Sequence, residues 1–440
     1  MIKLLNTLSG KKEDFEPMKD RDVGMFVCGP TVYDQSHIGH IRTYVVFDVI
    51  AKYLRHKGYK VRYIMNITDI DDRIIDRARE EGKDWKEISE TYEKDFLESM
   101  ESLGVDGVEK YIRATDHIKE IIKQVKTLLD KGYAYQINEG IYFDISKFED
   151  YGKLAKRTIE QAEDATSRID DSVAKRNKGD FVLWRFSRST GSGQAEPSWD
   201  SPWGKGRPGW HIEDTAITEK YLGQQYDIHG GGHDLIFPHH EAEITQQEAA
   251  SGKKPFVRYW LHSGLVTVNG QKMSKSLKNY VAIREALKDY SPDALRFLAI
   301  SSHYRSSVEY REDLMKQSEA AIQRIRELVR KLGVIKKRDE KEEKHEFDEI
   351  IKNVKIEFES KMDDDFNTPE ALAVLFNFIR LVNASIAGNS LDKKSADLVL
   401  KFLDEIDEIL GIIPAADSPI PDNVSELVLE RERLRKEKLW

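Results

Sequence analysis

The sequence has little of three things that mark other protein classes: cysteine, long apolar runs and positive charge. Its 440 residues include a single cysteine, Cys28, so no internal disulfide can form and a reducing compartment is expected. No apolar run approaches the roughly 18 residues of a membrane-spanning helix, and residues 1–6 lack the pattern of a secretory signal. These absences argue against secreted disulfide-rich proteins and membrane proteins, and they predict a cytoplasmic protein that contacts no membrane.

The chain also lacks an overall positive field that would attract nucleic acid. Its formal net charge is −9 at pH 7, so any contact with nucleic acid has to use local basic segments. Two segments qualify, 316–331 and 431–438. The alternative is an ordinary solvated helix face, which the sequence alone favours by about two to one.

One motif is typical of a phosphate-binding junction between a strand and a helix. The apolar stretch 25–28 predicts a strand, and the apolar periodicity over 44–54 predicts a helix. His37, Gly39 and His40 lie between the two. A helix start directs backbone N–H groups toward bound phosphate, and glycine lets the nucleotide approach the backbone closely. The two imidazoles are therefore expected to face phosphates.

A second motif, Lys-Met-Ser-Lys-Ser at 272–276, lies in a stretch rich in glycine, serine and lysine. When a carboxylate attacks the α-phosphorus of ATP, negative charge grows on the phosphate oxygens, and donors already in place stabilise it most in the transition state. We predict this catalytic role for Lys272 and Lys275 together with the two histidines. Either motif alone is common by chance. Both together predict an ATP site, contacted by Gly39 and Lys275, with Mg²⁺ accompanying the nucleotide.

The order of patterns predicts an α/β protein with a Rossmann-like, doubly wound parallel sheet. A strand at 61–65 follows the first motif, and a helix at 116–130 and a hairpin of 134–137 with 141–144 come next. The stretch 187–209, dense in glycine, serine and proline, predicts a long loop. The C-terminal region shows four helical patterns, at 312–332, 347–362, 369–387 and 391–410. A charged segment at 336–346 separates the first two and predicts a linker.

Further segments resemble one family. Besides the two motifs, they are Phe-Val-Cys-Gly-Pro-Thr-Val-Tyr-Asp at 26–34, Asn-Ile-Thr-Asp-Ile-Asp-Asp at 66–72, Arg-Pro-Gly-Trp-His-Ile-Glu at 207–213, Asp-Ile-His-Gly-Gly-Gly at 227–232, Phe-Pro-His-His-Glu at 237–241 and Asp-Asp-Asp-Phe-Asn-Thr-Pro at 363–369. Over nearly its whole length the chain resembles the class I aminoacyl-tRNA synthetases, specifically the cysteinyl-tRNA synthetases. The resemblance implies ATP-dependent activation of L-cysteine to cysteinyl-adenylate and transfer to the 3′ end of tRNA(Cys). A monomer is expected.

With this resemblance, the patterns divide the chain into five parts. Residues 1–104 and 206–265 are expected to form the two halves of the nucleotide-binding catalytic domain, with a connective insertion at 105–205. Residues 266–311 carry the lysine motif and the contact with the tRNA stem, and 312–440 form an all-helical tRNA-binding domain. The resemblance implies a small anticodon-reading region after the basic segment 430–440, where this sequence ends.

The resemblance also implies a zinc ion that takes the substrate sulfur as a further ligand, one per chain. The positions that match its ligands are Cys28, Asp214, His239 and Glu243, and aspartate stands at 214 where the family has a second cysteine. Aspartate keeps the charge of a thiolate, and zinc accepts S, N and carboxylate O donors at similar distances. A harder donor is expected to make the ion more Lewis acidic and to weaken its retention. The alternative is that Cys28 is a core residue and Asp214 a helix cap.

Four further positions match residues that line the cysteine pocket in the family: Thr68, Trp210, His229 and Asp234. Asp234 is expected to pair with the substrate ammonium, Trp210 to form an apolar wall and Thr68 to bond near the α-amino group. Taken alone, such a Trp is usually core, and His229 before three glycines would be a turn residue. His233, beside Asp234, is another candidate metal ligand.

Two other functions compete with a tRNA ligase. One is a ligase that activates cysteine for a small amine acceptor. The long helical C-terminal region argues against it, because such a ligase has less need of that region. The other is a non-catalytic tRNA-binding paralogue, which does not need both phosphate motifs.

Overall fold

The computed structural model describes residues 1–157, 161, 174–187, 196–273, 279–335 and 346–413. Its strands, numbered in chain order, are β1 Lys3–Asn6, β2 Lys11–Asp14, β3 Asp22–Val27, β4 Lys60–Ile67, β5 Lys110–Arg113, β6 Ala134–Ile137, β7 Gly140–Phe143, β8 Phe181–Phe186, β9 Gly206–Pro208, β10 Tyr226–Gly232, β11 Val257–Ser263, β12 Val266–Val268, β13 Gln271–Lys272 and β14 Val308–Tyr310. Its helices are α1 Ile38–His56, α2 Asp72–Glu81, α3 Trp85–Ser102, α4 Ile118–Asp130, α5 Ile212–Tyr221, α6 Glu241–Ser251, α7 Ile283–Asp289, α8 Pro292–Ile300, α9 Glu312–Gly333, α10 Glu346–Asp363, α11 Thr368–Ala387 and α12 Lys393–Leu410.

A five-stranded parallel sheet lies at the centre of the molecule, in the order β11-β10-β3-β4-β5. The chain runs from β3 outward to β4 on one side and from β10 outward to β11 on the other, so the winding reverses between β3 and β10. The loops that leave these two strands diverge there, and ligands of open α/β sheets bind at such a switch point, at the carboxyl ends of the strands. The predicted Rossmann-like, doubly wound class is confirmed.

Alternation along β3 decides which side chains reach the site. Met25 and Val27 point into the apolar core that includes Phe47 of α1. Phe26 and Cys28 belong to the core on the opposite face, against α5 and α6. Successive side chains of a strand point to opposite faces, so Cys28, the residue after β3, brings its sulfur to the helices that carry the other predicted metal ligands.

The connective insertion has other limits than the predicted 105–205, because β5 at 110–113 belongs to the central sheet and β9 at 206–208 belongs to the sheet of the insertion. β5 lies before it and is the edge strand of the central sheet, so the insertion begins after Arg113 rather than at residue 105. Its own sheet is antiparallel, in the order β6-β7-β8-β9, and includes the predicted hairpin. β9 lies within the predicted loop 187–209, of which 188–195 are outside the described residues. Both strands were missed because they are short and β5 is largely exposed.

The C-terminal region is helical as predicted, from α9 to α12, while most of the charged segment 336–346 lies outside the described residues. α11 is the one described helix that is long and apolar enough to span a membrane by length and composition. It buries Leu372, Leu375, Phe378 and Ile379 in the main core, as core helices do.

A buried arginine joins the catalytic sheet to the helical region. Arg296 of α8 is 1 % exposed and forms an ion pair with Asp48 of α1. Its Nε donates to the carbonyl oxygen of Leu410 at the end of α12 (2.6 Å), and its Nη1 donates to those of Leu103 (3.1 Å) and Gly104 (3.0 Å) after α3. One guanidinium therefore satisfies acceptors from three elements.

Replacing Arg296 by Met should destabilise the fold by about 3–5 kcal/mol, because it leaves the buried Asp48 carboxylate without its main partner. The value should lie toward the lower end, since Lys52 Nζ remains 3.0 Å from that carboxylate. Thermal unfolding followed by circular dichroism measures the loss. Arg311→Met is the matched control, because this arginine is exposed. An equal fall in both variants would contradict the assignment.

Candidate active site

The predicted functional side chains come from separate segments that meet at the carboxyl ends of the central strands. Cys28 follows β3, Thr68 follows β4, and His229 lies within β10. Asp214 lies in α5, and Glu243 lies in α6 one turn after His239. The connection from β10 to α6 and the first turns of α5 therefore deliver most of the predicted metal-binding residues to the switch point of the sheet.

The first motif forms the start of α1. His37 is the N-cap residue, and its Nδ1 accepts a hydrogen bond from the backbone N–H of Gly39 (3.1 Å). His40 Nδ1 accepts from the backbone N–H of His37 (3.3 Å). Because Nδ1 is an acceptor in both rings, each neutral imidazole carries its proton on Nε2. The rings stack with centroids 3.8 Å apart, so they present two parallel N–H donors.

Burial keeps both imidazoles neutral. It lowers the pKa of His37 to about 4, although the carboxylate of Asp234 opposes the shift. Burial, and then the proximity of His37, lowers the pKa of His40 well below its usual value. Gly39 is required between them, because a Cβ there would lie 2.8 Å from ring atoms of His37. At neutral pH the motif therefore offers uncharged donors to a phosphate.

The second motif begins beside the first. Lys272 ends β13, which pairs with β12. Met273 follows it, and its Cε would be 3.4 Å from a Cβ placed on Gly39. Lys275 lies outside the described residues. The two motifs, distant in sequence, are thus neighbours at the start of α1.

Four buried donor atoms converge at the end of β3. Cys28 Sγ lies 3.5 Å from Asp214 Oδ2 and 3.4 Å from His239 Nε2. His239 Nε2 is also 3.0 Å from Asp214 Oδ2 and 3.0 Å from Glu243 Oε1. Cys28 is 5 % exposed and the other three are 0 % exposed. The structure therefore brings Cys28, Asp214 and His239 together as one group of close donor atoms, and Glu243 touches this group through His239 while it also groups with His229 and His240.

The donor set fits a cation better than it fits a hydrogen-bond network. One ring nitrogen can donate one hydrogen bond, yet His239 Nε2 faces a sulfur and two carboxylate oxygens. A tetrahedral ion with bonds of about 2.0–2.3 Å separates its ligands by roughly 3.3–3.8 Å. The separations of 3.5 and 3.4 Å from Cys28 Sγ fall in this range, and those of 3.0 Å from His239 Nε2 are shorter. Burial, and then the charge of Asp214, raises the pKa of Cys28 well above its usual value. A bound cation would remove this penalty on the thiolate.

The carboxylate and the imidazole of the cluster influence each other strongly. Burial raises the pKa of Glu243 to about 8, although His239 opposes the rise, and Asp214 adds a smaller rise. Burial lowers the pKa of His239, but Glu243 and Asp214 more than offset it and raise the value to about 9. Without a cation, the cluster therefore holds protons to balance its buried negative charge.

A second layer of buried side chains contacts the free atoms of these ligands. Asn66 Nδ2 donates to Asp214 Oδ1 (2.6 Å). His211 Nδ1 is 2.7 Å from His239 Nδ1, on the far side of the ring from the cluster. His229 Nε2 is 3.4 Å from Glu243 Oε2. Such outer partners orient metal ligands and fix the tautomer of a ligating histidine.

The predicted cysteine-pocket residues are divided between the cluster and its entrance. Thr68 is buried and donates its hydroxyl to Glu213, and the ring of Trp210 lies 4.2 Å from that of His239. His229 is fully buried against the cluster. Asp234 instead lies exposed in the turn His233–Leu235, beside the first motif. His233 is also exposed and does not join the cluster.

Sequence reasoning missed several residues of the site. Asn66, His211 and Glu213 all lie inside the segments that carry the family resemblance, within two residues of a predicted site residue, so their position in those segments was the available signal. His240 adjoins a predicted ligand in the same way, and its Nδ1 is 2.9 Å from His262 Nε2. His229, His240 and Glu243 form a second cluster of close donor atoms.

Comparison with known proteins places the chain in a family. The model of the tRNA synthetases class I (C) catalytic domain matches residues 14–320, and that of the DALR domain matches residues 357–414. The chain belongs to the class I (C) tRNA synthetases. It is 43 % identical to the cysteine–tRNA ligase of Thermodesulfovibrio yellowstonii, over 100 % of this chain and 94 % of the relative. It is 46 % identical to that of Pyrococcus furiosus, over 99 % and 90 %.

Solved structures share the fold of this class I (C) synthetase at low sequence identity. Methionyl-tRNA synthetase of Mycobacterium tuberculosis in complex with methionyl-adenylate aligns with a TM-score of 0.61 and 14 % identity, covering 88 % of this chain and 89 % of the other. The ternary complex of Agrobacterium radiobacter LeuRS with tRNA and LeuAMS aligns with a TM-score of 0.63 and 12 % identity, covering 91 % and 85 %.

The buried histidines should make the fold sensitive to acid. Burial is the main cause that lowers the pKa of His262 to about 3, whereas an unfolded imidazole titrates near about 6.5. Between these values the unfolded chain binds the proton and the native state does not, so stability falls as the pH drops from about 6.5 toward 3. His262→Gln should reduce the slope by up to about 1.4 kcal/mol per pH unit.

Urea unfolding midpoints at pH 7, 6, 5 and 4 measure this slope. His233→Gln is the control, because His233 is exposed. The interpretation fails if the wild type, H262Q and H233Q lose stability in parallel across this range.

Proposed function

We propose that the protein is a cysteine–tRNA ligase that acts on tRNA(Cys) as a monomer in the cytoplasm. The observation that carries the proposal is the sulfur-containing group of Cys28, Asp214 and His239, which Glu243 joins through His239, together with the helix start formed by His37. The first site suits a thiol substrate, and the second suits ATP. Relatives at 43–46 % identity are named cysteine–tRNA ligase, which supports the substrate assignment.

In the first step a carboxylate oxygen of cysteine attacks the α-phosphorus of ATP, cysteinyl-adenylate forms, and pyrophosphate leaves. His37 and His40 donate hydrogen bonds from their Nε2–H groups to phosphate oxygens as charge accumulates there. Lys272 and Lys275 stabilise the leaving pyrophosphate, and Mg²⁺ enters with ATP. In the second step a hydroxyl of the terminal ribose of tRNA attacks the acyl carbon, and AMP leaves.

Zinc would be held by Cys28, Asp214, His239 and Glu243. When bound, it supplies a Lewis-acidic site for the substrate thiolate. Serine differs from cysteine by one atom and has a hydroxyl that ionises far less readily, so a hydrogen-bonding pocket alone separates the two poorly. A thiolate-selective site makes a separate editing activity unnecessary.

The remaining pocket residues are proposed to orient the rest of the amino acid. Trp210, whose ring packs on that of His239, forms the wall against the Cβ of cysteine. Thr68 bonds near the α-amino group, and Asp234 pairs with the ammonium from the entrance. His229 closes the inner end of the pocket, where it stacks on Trp260 with ring centroids 4.2 Å apart.

The acceptor is proposed to be tRNA rather than a small amine. The match of the DALR domain to residues 357–414 supports this choice, as do the exposed basic side chains on α9, which include Lys316, Arg324 and Arg330. Arg326, in the same predicted basic segment, is 8 % exposed and faces Asp293 instead. The other basic segment, 431–438, lies outside the described residues. ATP–pyrophosphate exchange with cysteine, followed by charging of tRNA(Cys), tests the function directly and separates the three candidates.

Metal analysis of purified variants tests the proposed ligand set. Wild-type protein should hold about one zinc per chain. Asp214→Ala should lose the ion, because the variant lacks one ligand and leaves the amide of Asn66 without its carboxylate partner. Asp214→Cys should restore or tighten binding, since a thiolate is the softer donor. Cysteine should support exchange better than serine by orders of magnitude in the metal-loaded forms.

Glu219→Gln is the matched control, because Glu219 lies on the same helix but contacts Gln124 and Gln247 rather than the cluster. Full zinc content in D214A, or a preference for cysteine that persists in metal-free protein, would refute the role of this site in recognition.

Replacing Lys275 by Ala should slow adenylate formation, with a loss of about 2–4 kcal/mol of transition-state stabilisation. Cysteine binding should change little, because the charge of the lysine is needed mainly once negative charge builds on the phosphates. Rates of ATP–pyrophosphate exchange at saturating cysteine measure the loss. Lys253→Ala, an exposed lysine before β11, should leave the rate unchanged. An unaltered rate in K275A would exclude the second motif from the mechanism.

A further inference from the structure

The chain that returns from the lysine motif pairs directly with the chain that enters the first motif. Residues 279–283 run beside residues 35–38, where His37 and Ala282 form an antiparallel bridge. The N–H of Ile38 donates to the carbonyl oxygen of Val281 (3.1 Å), and the N–H of Ile283 donates to that of Ser36 (2.8 Å). These bonds fix the backbone on both sides of the catalytic His37.

Tyr280 adds side-chain contacts to this bridge. Its hydroxyl donates to the carbonyl oxygen of Gln35. Its ring meets the imidazole of His37 edge to face, with centroids 5.4 Å apart. The orientation of His37 therefore depends on where the returning segment lies.

One carboxylate from a third element holds both sides of the bridge. Asp95 of α3 is 7 % exposed. Its Oδ2 accepts the backbone N–H of Ser36 (2.8 Å), immediately before His37, and its Oδ1 accepts a guanidinium N–H of Arg284 in the first turn of α7. Bonds to an ionised acceptor are stronger than neutral ones, and α3 is anchored in the main core by Phe96 and Met100.

This contact is better suited to geometry than to stability. The side chain of Arg284 is 53 % exposed, and ion pairs that involve an exposed partner add little to the free energy of folding. The transfer of an adenylyl group, by contrast, depends on donors from both motifs being placed within a fraction of an ångström, and a shift of about 1 Å can cost 10²-fold in rate. The N–H of Ser36 would also lose its partner if Asp95 were removed.

We propose that Asp95 is a positioning residue that, through Arg284, fixes the spacing between the His37 segment and the chain returning from the lysine motif. The expected effect of Asp95 on the rate of adenylate formation rests on the proposed function. The coupling of the two backbone segments stands on the bonds to Ser36 and Arg284.

The first test is a double-mutant cycle in ATP–pyrophosphate exchange. Asp95→Asn keeps an acceptor for Ser36 but loses the charge that pairs with Arg284, so D95N and R284A should each lower kcat by about tenfold and the double variant should be no worse than either. Arg284→Lys should restore part of the rate. The KM for cysteine and the unfolding temperature should not change.

Two exposed neighbours serve as controls. Glu98→Gln changes a carboxylate one turn further along α3 that pairs with Lys94, and Glu285→Gln changes the residue next to Arg284, which pairs with Lys288. Both should retain wild-type kcat. Additive losses in the double variant, an unchanged kcat in R284A, or a rise in cysteine KM equal to the fall in kcat would each overturn the proposal.

A second measurement is independent of catalysis. Hydrogen exchange at the backbone amides of Ile38 and Ile283 reports the two bridge bonds, and both should lose protection by at least tenfold in R284A while the amides of β3 stay protected. Unchanged protection at both amides would overturn the proposal whatever the activity. If the wild type showed no ATP–pyrophosphate exchange, the proposed function would be refuted. The hydrogen-exchange result would then decide on its own whether Asp95 and Arg284 hold the bridge.

Discussion

Burying three acidic side chains around one imidazole is the constraint on which the rest of the site depends. Cys28, Asp214 and Glu243 are removed from water at the end of β3, and isolated buried charges cost several kcal/mol each unless they are paired. His239 alone cannot satisfy them, since its Nε2 has one bond to offer. Either protons or a cation must balance the cluster, and this requirement underlies the proposed zinc site.

The parallel sheet makes this concentration of charge possible. Strands that end at one edge deliver Cys28 and Thr68 from neighbouring positions, and the outer helices α5 and α6 deliver Asp214 and Glu243 from the side. The second layer then fixes each ligand, because a carboxylate or imidazole with one free rotation would not hold its donor atom in place. Asn66 is the clearest case: its amide nitrogen bonds Asp214 and its oxygen accepts the backbone N–H of Gly29 (2.6 Å), next to Cys28.

The parts of this structure that could be predicted from sequence are those specified locally. Apolar periodicity predicted α1 and the four C-terminal helices, and the phosphate motif predicted that His37 lies at the start of α1. Cys28 and Glu243 were named from the family resemblance, not from periodicity or spacing. The parts that escaped depend on partners distant in sequence. β5 is short and becomes a strand only because β4 lies beside it. Asp95 lies in an ordinary amphipathic helix, and nothing in its own segment predicts that its carboxylate accepts the N–H of Ser36.

The aspartate at 214 changes the chemistry of the site in a second way, beyond the hardness of the donor. Two cysteine ligands that lose their ion can oxidise to a disulfide, because ligand sulfurs lie close together. Here Cys28 Sγ faces a carboxylate oxygen at 3.5 Å and is the one cysteine of the chain, so this route is closed. Loss of the ion instead leaves a buried thiol whose pKa is raised, and a thiol is far less reactive toward oxidants than a thiolate. In the proposed zinc site, aspartate at this position would therefore weaken the hold on zinc but leave a metal-free state whose cysteine can bind the ion again.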